Sequence, residues 1–199
     1  MQKKILKGIF AAVIASLTVA LGGCSGDKSG GNTSEITIGI PQDLDSLDPH
    51  KAVAAGTKEV LFNVFEGLVK PDSDGNLIPA VASSYEVSKD AKEYTFTLRD
   101  GIKFQDGSPV TVQDISYSLN KCAGTDGGTP YVAAFSNIDK IETPDDKTVV
   151  INLKESDSDF LAYLTCAIVP EANKANEETT PIGTGPYKFV SWTTQDSVV

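Results

Sequence analysis

The stretch from Tyr94 to Asp114, YTFTLRDGIKFQDGSPVTVQD, is the most fully specified piece of local structure in the chain. Tyr94, Phe96 and Leu98 alternate with Thr95 and Thr97, the period-two pattern of a strand with one buried face. Arg99-Asp100-Gly101 predicts a turn, Ile102-Lys103-Phe104 resumes the alternation, and Asp106-Gly107-Ser108-Pro109 predicts a second turn. Thr111 stands three residues before Asp114, the spacing of a reciprocal helix cap, so a helix is expected to open at Val112. Nothing in this run of strand, turn, strand, turn and capped helix carries chemistry by itself.

Together with Ala82 and Asp90 upstream, the stretch resembles the signature of the solute-binding proteins of peptide and nickel ABC importers. Ala82, Asp90, Leu98, Arg99, Asp100, Gly101, Ile102 and Phe104 fall on that pattern in register. Asp106-Gly107-x-Pro109-Val110-Thr111-x-x-Asp114 is similar to the family's next landmark. Ser46-Leu47-Asp48-Pro49, Phe65-Glu66-Gly67-Leu68-Val69 and Gly183-Thr184-Gly185-Pro186-Tyr187-Lys188-Phe189 resemble three others. The resemblance implies an α/β, periplasmic-binding-protein-like (type II) fold, of which this chain supplies the first lobe only, with an inserted mixed β/α subdomain. Family members are more than twice this long, and Asp196-Ser197-Val198-Val199 reads as the start of a further strand.

Working toward the amino terminus, residues 57–68 place apolar side chains at 60, 61, 64, 65 and 68, one face of a helix. Residues 72–76 (DSDGN) read as a hairpin turn, with short extended pieces at 77–82 and 84–87. Residues 35–40 (EITIGI) read as a strand ended by Pro41. The loop after it carries Asp43, Asp45 and Asp48. Three such acids suggest calcium, but the glycine turn and distal glutamate of a calcium loop do not follow, so hydrogen bonding to local backbone is the better reading.

The first residues have a different character. Lys3, Lys4 and Lys7 precede an apolar run over residues 9–21, too short to span a bilayer and of the length of a signal-peptide core. It ends in Leu21-Gly22-Gly23-Cys24, which resembles a bacterial lipoprotein cleavage site with Cys24 as the lipidated residue. Residues 25–34 (SGDKSGGNTS) form a glycine- and serine-rich tether. The expected organisation is a lipoprotein signal peptide over 1–23, a tether over 24–35 and a lobe over 36–199. Within the lobe, 36–58 and 167–199 are expected to build a core sheet subdomain around an inserted 59–166. Losing three of the 17 lysines and arginines with the signal peptide leaves 14 against 27 acidic residues, a charge of −13. So acidic a chain is a poor partner for nucleic acid.

On the carboxyl side, the helix from Val112 should bury Ile115, Leu119 and Cys122 and end at Gly124. Residues 137–142 and 147–153 read as two strands, 160–164 as a short helix, and 187–192 as a strand. Gly183-Thr184-Gly185 is no phosphate loop, because Pro186 removes a backbone donor and no helix follows.

Chemistry beyond binding finds little support. His50 is the single histidine; it follows Pro49 and reads as a surface loop residue, with no nucleophile motif beside it. Cys122 and Cys166 stand too far apart in sequence for a zinc pattern. An oxidising compartment allows them to pair, while their apolar surroundings favour buried free thiols. No catalytic residue, metal site or cofactor is expected, and a secreted hydrolase is disfavoured.

The resemblance implies capture of oligo- or dipeptides at the outer face of the cell membrane, periplasmic or on the cell surface. It implies delivery to ABC permease subunits served by cytoplasmic ATPases. Nickel chelates, oligosaccharides or a non-transport sensing role on the same fold remain open. Carried over residue by residue, Ala54, Ala55 and Gly56 fall where the family's first lobe meets the peptide backbone. Tyr131 matches an aromatic that reaches the ligand, or is a core aromatic after the Pro130 turn. Metabolic labelling with a fatty acid is expected to mark the wild-type protein and leave Cys24→Ser unlabelled; equal labelling of both would refute lipidation.

Overall fold

The computed structural model describes residues 36–125 and 127–199; the basic and apolar leader, Cys24 and the tether lie outside them. Residues 36–39 fall in a separate unit from residues 40–199. They form no strand among the described residues, and Ile36 and Ile38 are exposed. The expected strand over 35–40 is therefore corrected: alternation marks two faces, but a strand also needs an edge to pair with.

Within residues 40–199, the strand read in the opening stretch is β4 (Glu93–Leu98), the second strand of a four-stranded antiparallel sheet. It runs between β3 (Ala82–Val87) and β6 (Thr148–Leu153), with β5 (Ile138–Glu142) on the far edge. The register places Tyr94 opposite Ile151 and Phe96 opposite Val149. All four are buried, so alternation on two strands makes one apolar face. A separate hairpin, β1 (Val69–Pro71) with β2 (Leu77–Pro79), precedes the sheet. Its turn is closed by the Asp72 carboxylate, which accepts from the N–H groups of Asp74 and Asn76.

The helix expected at Val112 is present over Val112–Ala123, and its cap is reciprocal as the spacing predicted. The Asp114 N–H donates to Thr111 Oγ1, and the Thr111 N–H donates to the Asp114 carboxylate. Gly124 ends it at φ 67°, a left-handed turn that a residue without Cβ adopts at little cost. In chain order this helix is α2; α1 is Ala55–Leu61, shorter than the apolar periodicity over 57–68 predicted, and α3 is Phe160–Tyr163. Ile115 and Leu119 of α2 pack on the sheet face with Phe135, Phe160, Leu164 and Ile168. Phe160 is central to this core, its ring 5.5 Å from both Tyr94 and Phe135.

Two other expected strands are corrected. Ile102-Lys103-Phe104 makes only a single bridge, Lys103 to Pro109, because the second turn folds back at once and hydrogen-bonds Phe104 N to Ser108 O. Residues 187–191 are not paired as a strand; only β7 (Trp192–Thr193) joins β8 (Ser197–Val198). The loop before them is spent on a different contact. Gly185 N donates to Val64 O and Tyr187 N to Asn63 O, so the chain runs against the turn that follows α1.

Gln105, in the middle of the opening stretch, locks this crossing. Its Nε2 donates toward the carbonyls of Val64, Gly185 and Tyr187, and its own N–H donates to Gly183 O at 2.9 Å. Arg99 acts in the same way on the other side, donating from its guanidinium to Ala80 O and Ala82 O. The approach at Gly183 leaves no room: a Cβ there would lie 2.1 Å from Val64 O. Gly183→Ala is expected to destabilise the fold by about 2–3 kcal/mol, read as a lower urea midpoint with unchanged slope. An unchanged midpoint would show that the crossing is not fixed.

Candidate ligand-facing loop and its buried anchor

The acidic loop before α1 is built by its three aspartates, each turned to a different partner. Asp43 accepts from its neighbour's N–H at Leu44 and also from the Trp192 indole Nε1 at 2.8 Å and the Gln195 N–H at 2.9 Å. The indole bond is the main reason its pKa lies below the usual carboxylate value. Asp45 accepts from Val53 N at 2.9 Å and Ala54 N at 3.0 Å, and so caps α1 from outside the helix. Its pKa is lowered to about 2, first by the Thr57 hydroxyl and then by the Val53 N–H. Asp48 is buried and turns inward. Three carboxylates that diverge in this way do not converge on a cation.

Asp48 meets the last turn of α2. Lys121 Nζ lies 2.8 Å from Asp48 Oδ2 and also bonds Glu177, with side-chain exposures of 14% for Lys121, 2% for Asp48 and 7% for Glu177. Tyr117, one turn earlier, donates to the other Glu177 oxygen at 3.0 Å. Burial alone would push the lysine toward its neutral form, but the two carboxylates more than offset it and raise its pKa. The same helix holds the following segment by two further polar contacts. Glu171 N donates to the Asp114 carboxylate at 2.9 Å, and Val169 N donates to Ser118 Oγ at 2.9 Å.

His50, expected on the surface, is corrected to a buried residue with 2% side-chain exposure. The loop folds under α2, and the ring Nε2 donates to Ala167 O at 2.8 Å. Its Nδ1 is buried without a hydrogen-bond partner. The Cys122 thiol stands beside that ring, and Cys166 shares a thiol contact with Cys122. Both cysteines are free, Cys122 fully buried and Cys166 half-buried, in accord with their apolar setting. Cys122 is lowered to about 6, first by the Cys166 thiol and then, against the effect of burial, by His50. Cys166 is correspondingly pushed up.

The residues carried over from the resemblance lie on the outside of this anchor. Gly56 is buried, Ala54 half-buried and Ala55 exposed, and the Ala54 N–H is committed to Asp45. Tyr131 is 49% exposed, so it is not a core aromatic. Its hydroxyl is near enough to Lys51 to contribute to that ammonium's raised pKa, whose main cause is the bond to Glu178. A cavity of about 280 Å³ opens beside the loop, lined by Asp45, Ser46, Leu47, Lys51, Glu178 and Trp192. Ala54, Ala55, Gly56 and Tyr131 do not line it. Glu178 and Trp192 lie more than 120 residues along the chain from the loop they close on, so only the fold reveals them.

A family profile described as bacterial extracellular solute-binding proteins, family 5 Middle, matches residues 76–199. The glutathione-binding protein GsiB of Pectobacterium atrosepticum is 32% identical over 98% of this chain and 37% of its own length. Among solved structures, the periplasmic binding protein AgaA of A. tumefaciens R10, in complex with agropinic acid, is 36% identical with a TM-score of 0.70. It aligns with 79% of this chain and 33% of its own. The murein tripeptide binding protein MppA of Escherichia coli is 30% identical, TM-score 0.72, over 80% of this chain and 36% of its own. The architecture is thus a part of the periplasmic binding-protein fold. The chain belongs to the family 5 bacterial extracellular solute-binding proteins, and it spans about a third of the length of these relatives.

Asp45 gives the loop an acid limit. A carboxylate held below its unfolded value of 3.8 stabilises above that value and loses its contribution as pH falls through its folded value of about 2. The amide resonances of Val53 and Ala54 are therefore expected to titrate together with a midpoint near 2, and to stop doing so in Asp45→Asn. Titration near 4 would show that the carboxylate does not hold the loop.

Proposed function

We propose that this chain is the amino-terminal part of the substrate-binding lipoprotein of an ABC importer that captures short peptides outside the cell. The observation that carries the reading is the likeness to relatives named for short peptides, glutathione being itself a tripeptide and the other a murein tripeptide. In this reading residues 36–58 and 167–199 form a core subdomain around the inserted 59–166. The start of α1 at Ala54, Ala55 and Gly56, with the exposed Tyr131, faces the peptide. Main-chain hydrogen bonds hold an extended ligand, and aromatic surface covers it. The protein performs no chemistry: a second lobe closes over the ligand, and permease subunits with cytoplasmic ATPases receive it. Cys24 carries the lipid that keeps it at the outer face of the membrane.

The chain covers about a third of its relatives, so the test uses the product of the whole coding region, screened by thermal shift. Di- to oligopeptides and glutathione are expected to raise the melting temperature, and Tyr131→Ala is expected to weaken the best of them about tenfold. Stabilisation by agropinic acid, a nickel chelate or an oligosaccharide, with none by any peptide, would overturn the peptide assignment.

A further inference from the structure

A buried group that the proposed ligand face does not use is the pair of thiols near His50, which also belongs to the apolar core. Cys122 lies on α2 and Cys166 in the segment that α2 holds, 44 residues later in the sequence. Cys166 packs against the core cluster that holds Cys122, where the two thiols interact, and both are free, Cys122 buried and Cys166 half-buried. His50 reaches the pair from a third segment. Its Nε2 faces the carbonyl of Ala167, which only accepts, so Nε2 carries a hydrogen and the neutral ring presents its lone pair at Nδ1. That Nδ1 is buried and has no hydrogen-bond partner, and the Cys122 thiol interacts with the same ring. Asp48 Oδ1 stands 3.9 Å away, and Lys121 is held off by its two carboxylates.

We propose that Cys122 and Cys166 form a base-assisted dithiol that is oxidised to an intramolecular disulfide by an extracytoplasmic disulfide, tying α2 to the segment after Cys166. Cys166, the less buried residue of the two, enters first. Cys122 has by then given its proton to His50 Nδ1. Cys166 passes its own proton to the Cys122 thiolate so formed and attacks one sulfur of the oxidant RS–SR, expelling RS⁻, which takes the proton of the His50 imidazolium. Cys122 then gives its proton back to His50 Nδ1 and attacks Cys166 Sγ, expelling the second RS⁻, which takes that proton from the imidazolium and leaves as RSH. Two thiols are oxidised to one disulfide, and the oxidant is reduced to two RSH. The lowered pKa of Cys122 fits its part as the resolving thiolate. The disulfide closes a loop containing β5, β6 and α3, so it constrains the unfolded chain and raises the melting temperature, by on the order of 10 °C.

The cellular half of this inference rests on the extracytoplasmic placement proposed above, and the experiment separates the two. The full chain is reduced, then exposed to oxidised glutathione and mapped by mass spectrometry without reduction. The expected product is a Cys122–Cys166 cross-link without attached glutathione. Cys122→Ser is expected to stall as one glutathione adduct on Cys166, while Cys166→Ser takes up none and His50→Gln cross-links at least tenfold more slowly. Both thiols remaining titratable after denaturation, or glutathione on each, would overturn the dithiol whatever the compartment. A second sample is quenched in living cells with N-ethylmaleimide. Cross-linking in the first sample with full alkylation in the second would overturn the extracytoplasmic placement and leave the dithiol standing.

Discussion

The ammonium of Lys121, held between the carboxylates of Asp48 and Glu177, draws together three segments that lie 73 and 56 residues apart in sequence. None of the three side chains is well exposed to water. Removing any one of them strands the others in a poorly hydrated site, at a cost of several kcal/mol. The acidic loop and the segment around Glu177 must therefore both be in place before the last turn of α2 can be buried. Hydrophobic packing on the opposite face of α2, through Ile115 and Leu119, fixes the helix on the sheet without choosing what covers its other side. The polar stripe of Asp114, Ser118 and Lys121 makes that choice, since each of its members reaches residues 169–177.

This division of labour explains which parts of the molecule could be read from the order of residues. Strand β4, the capped helix α2 and the Gly124 stop are specified by neighbours within a few positions, so alternation, Thr111–Asp114 spacing and a left-handed glycine were enough. The 72–76 hairpin was legible for the same reason. Residues 36–40 were misread because isoleucine alternation is a local property and strand pairing is not. Residues 187–191 were misread because Gly185 and Tyr187 spend their N–H groups on Val64 and Asn63, a contact invisible without the fold.

The site was legible in part. Asp43 and Asp45 do bind nearby backbone, as loop acids between Pro41 and Pro49 were expected to, but each also holds something the local pattern did not name. His50 looked like a surface residue because it follows a turn; it is buried because Asp48 pulls its loop beneath α2. Tyr131 was read either as an aromatic that reaches the ligand or as a core aromatic, and its exposure excludes the core. The long signature from Leu98 to Asp114 proved to be scaffold throughout: Arg99 and Gln105 serve carbonyl groups of the main chain. A pattern of that kind identifies a family through its architecture.

The indole of Trp192 rests on Asp43, 149 residues away, and it is the only tryptophan in the protein. That contact joins the loop to the hairpin of β7 and β8 and takes no part in the sheet. Its emission is therefore a private optical signal: it follows the engagement of the acidic loop, free of any background from the core, whose large rings are tyrosine and phenylalanine.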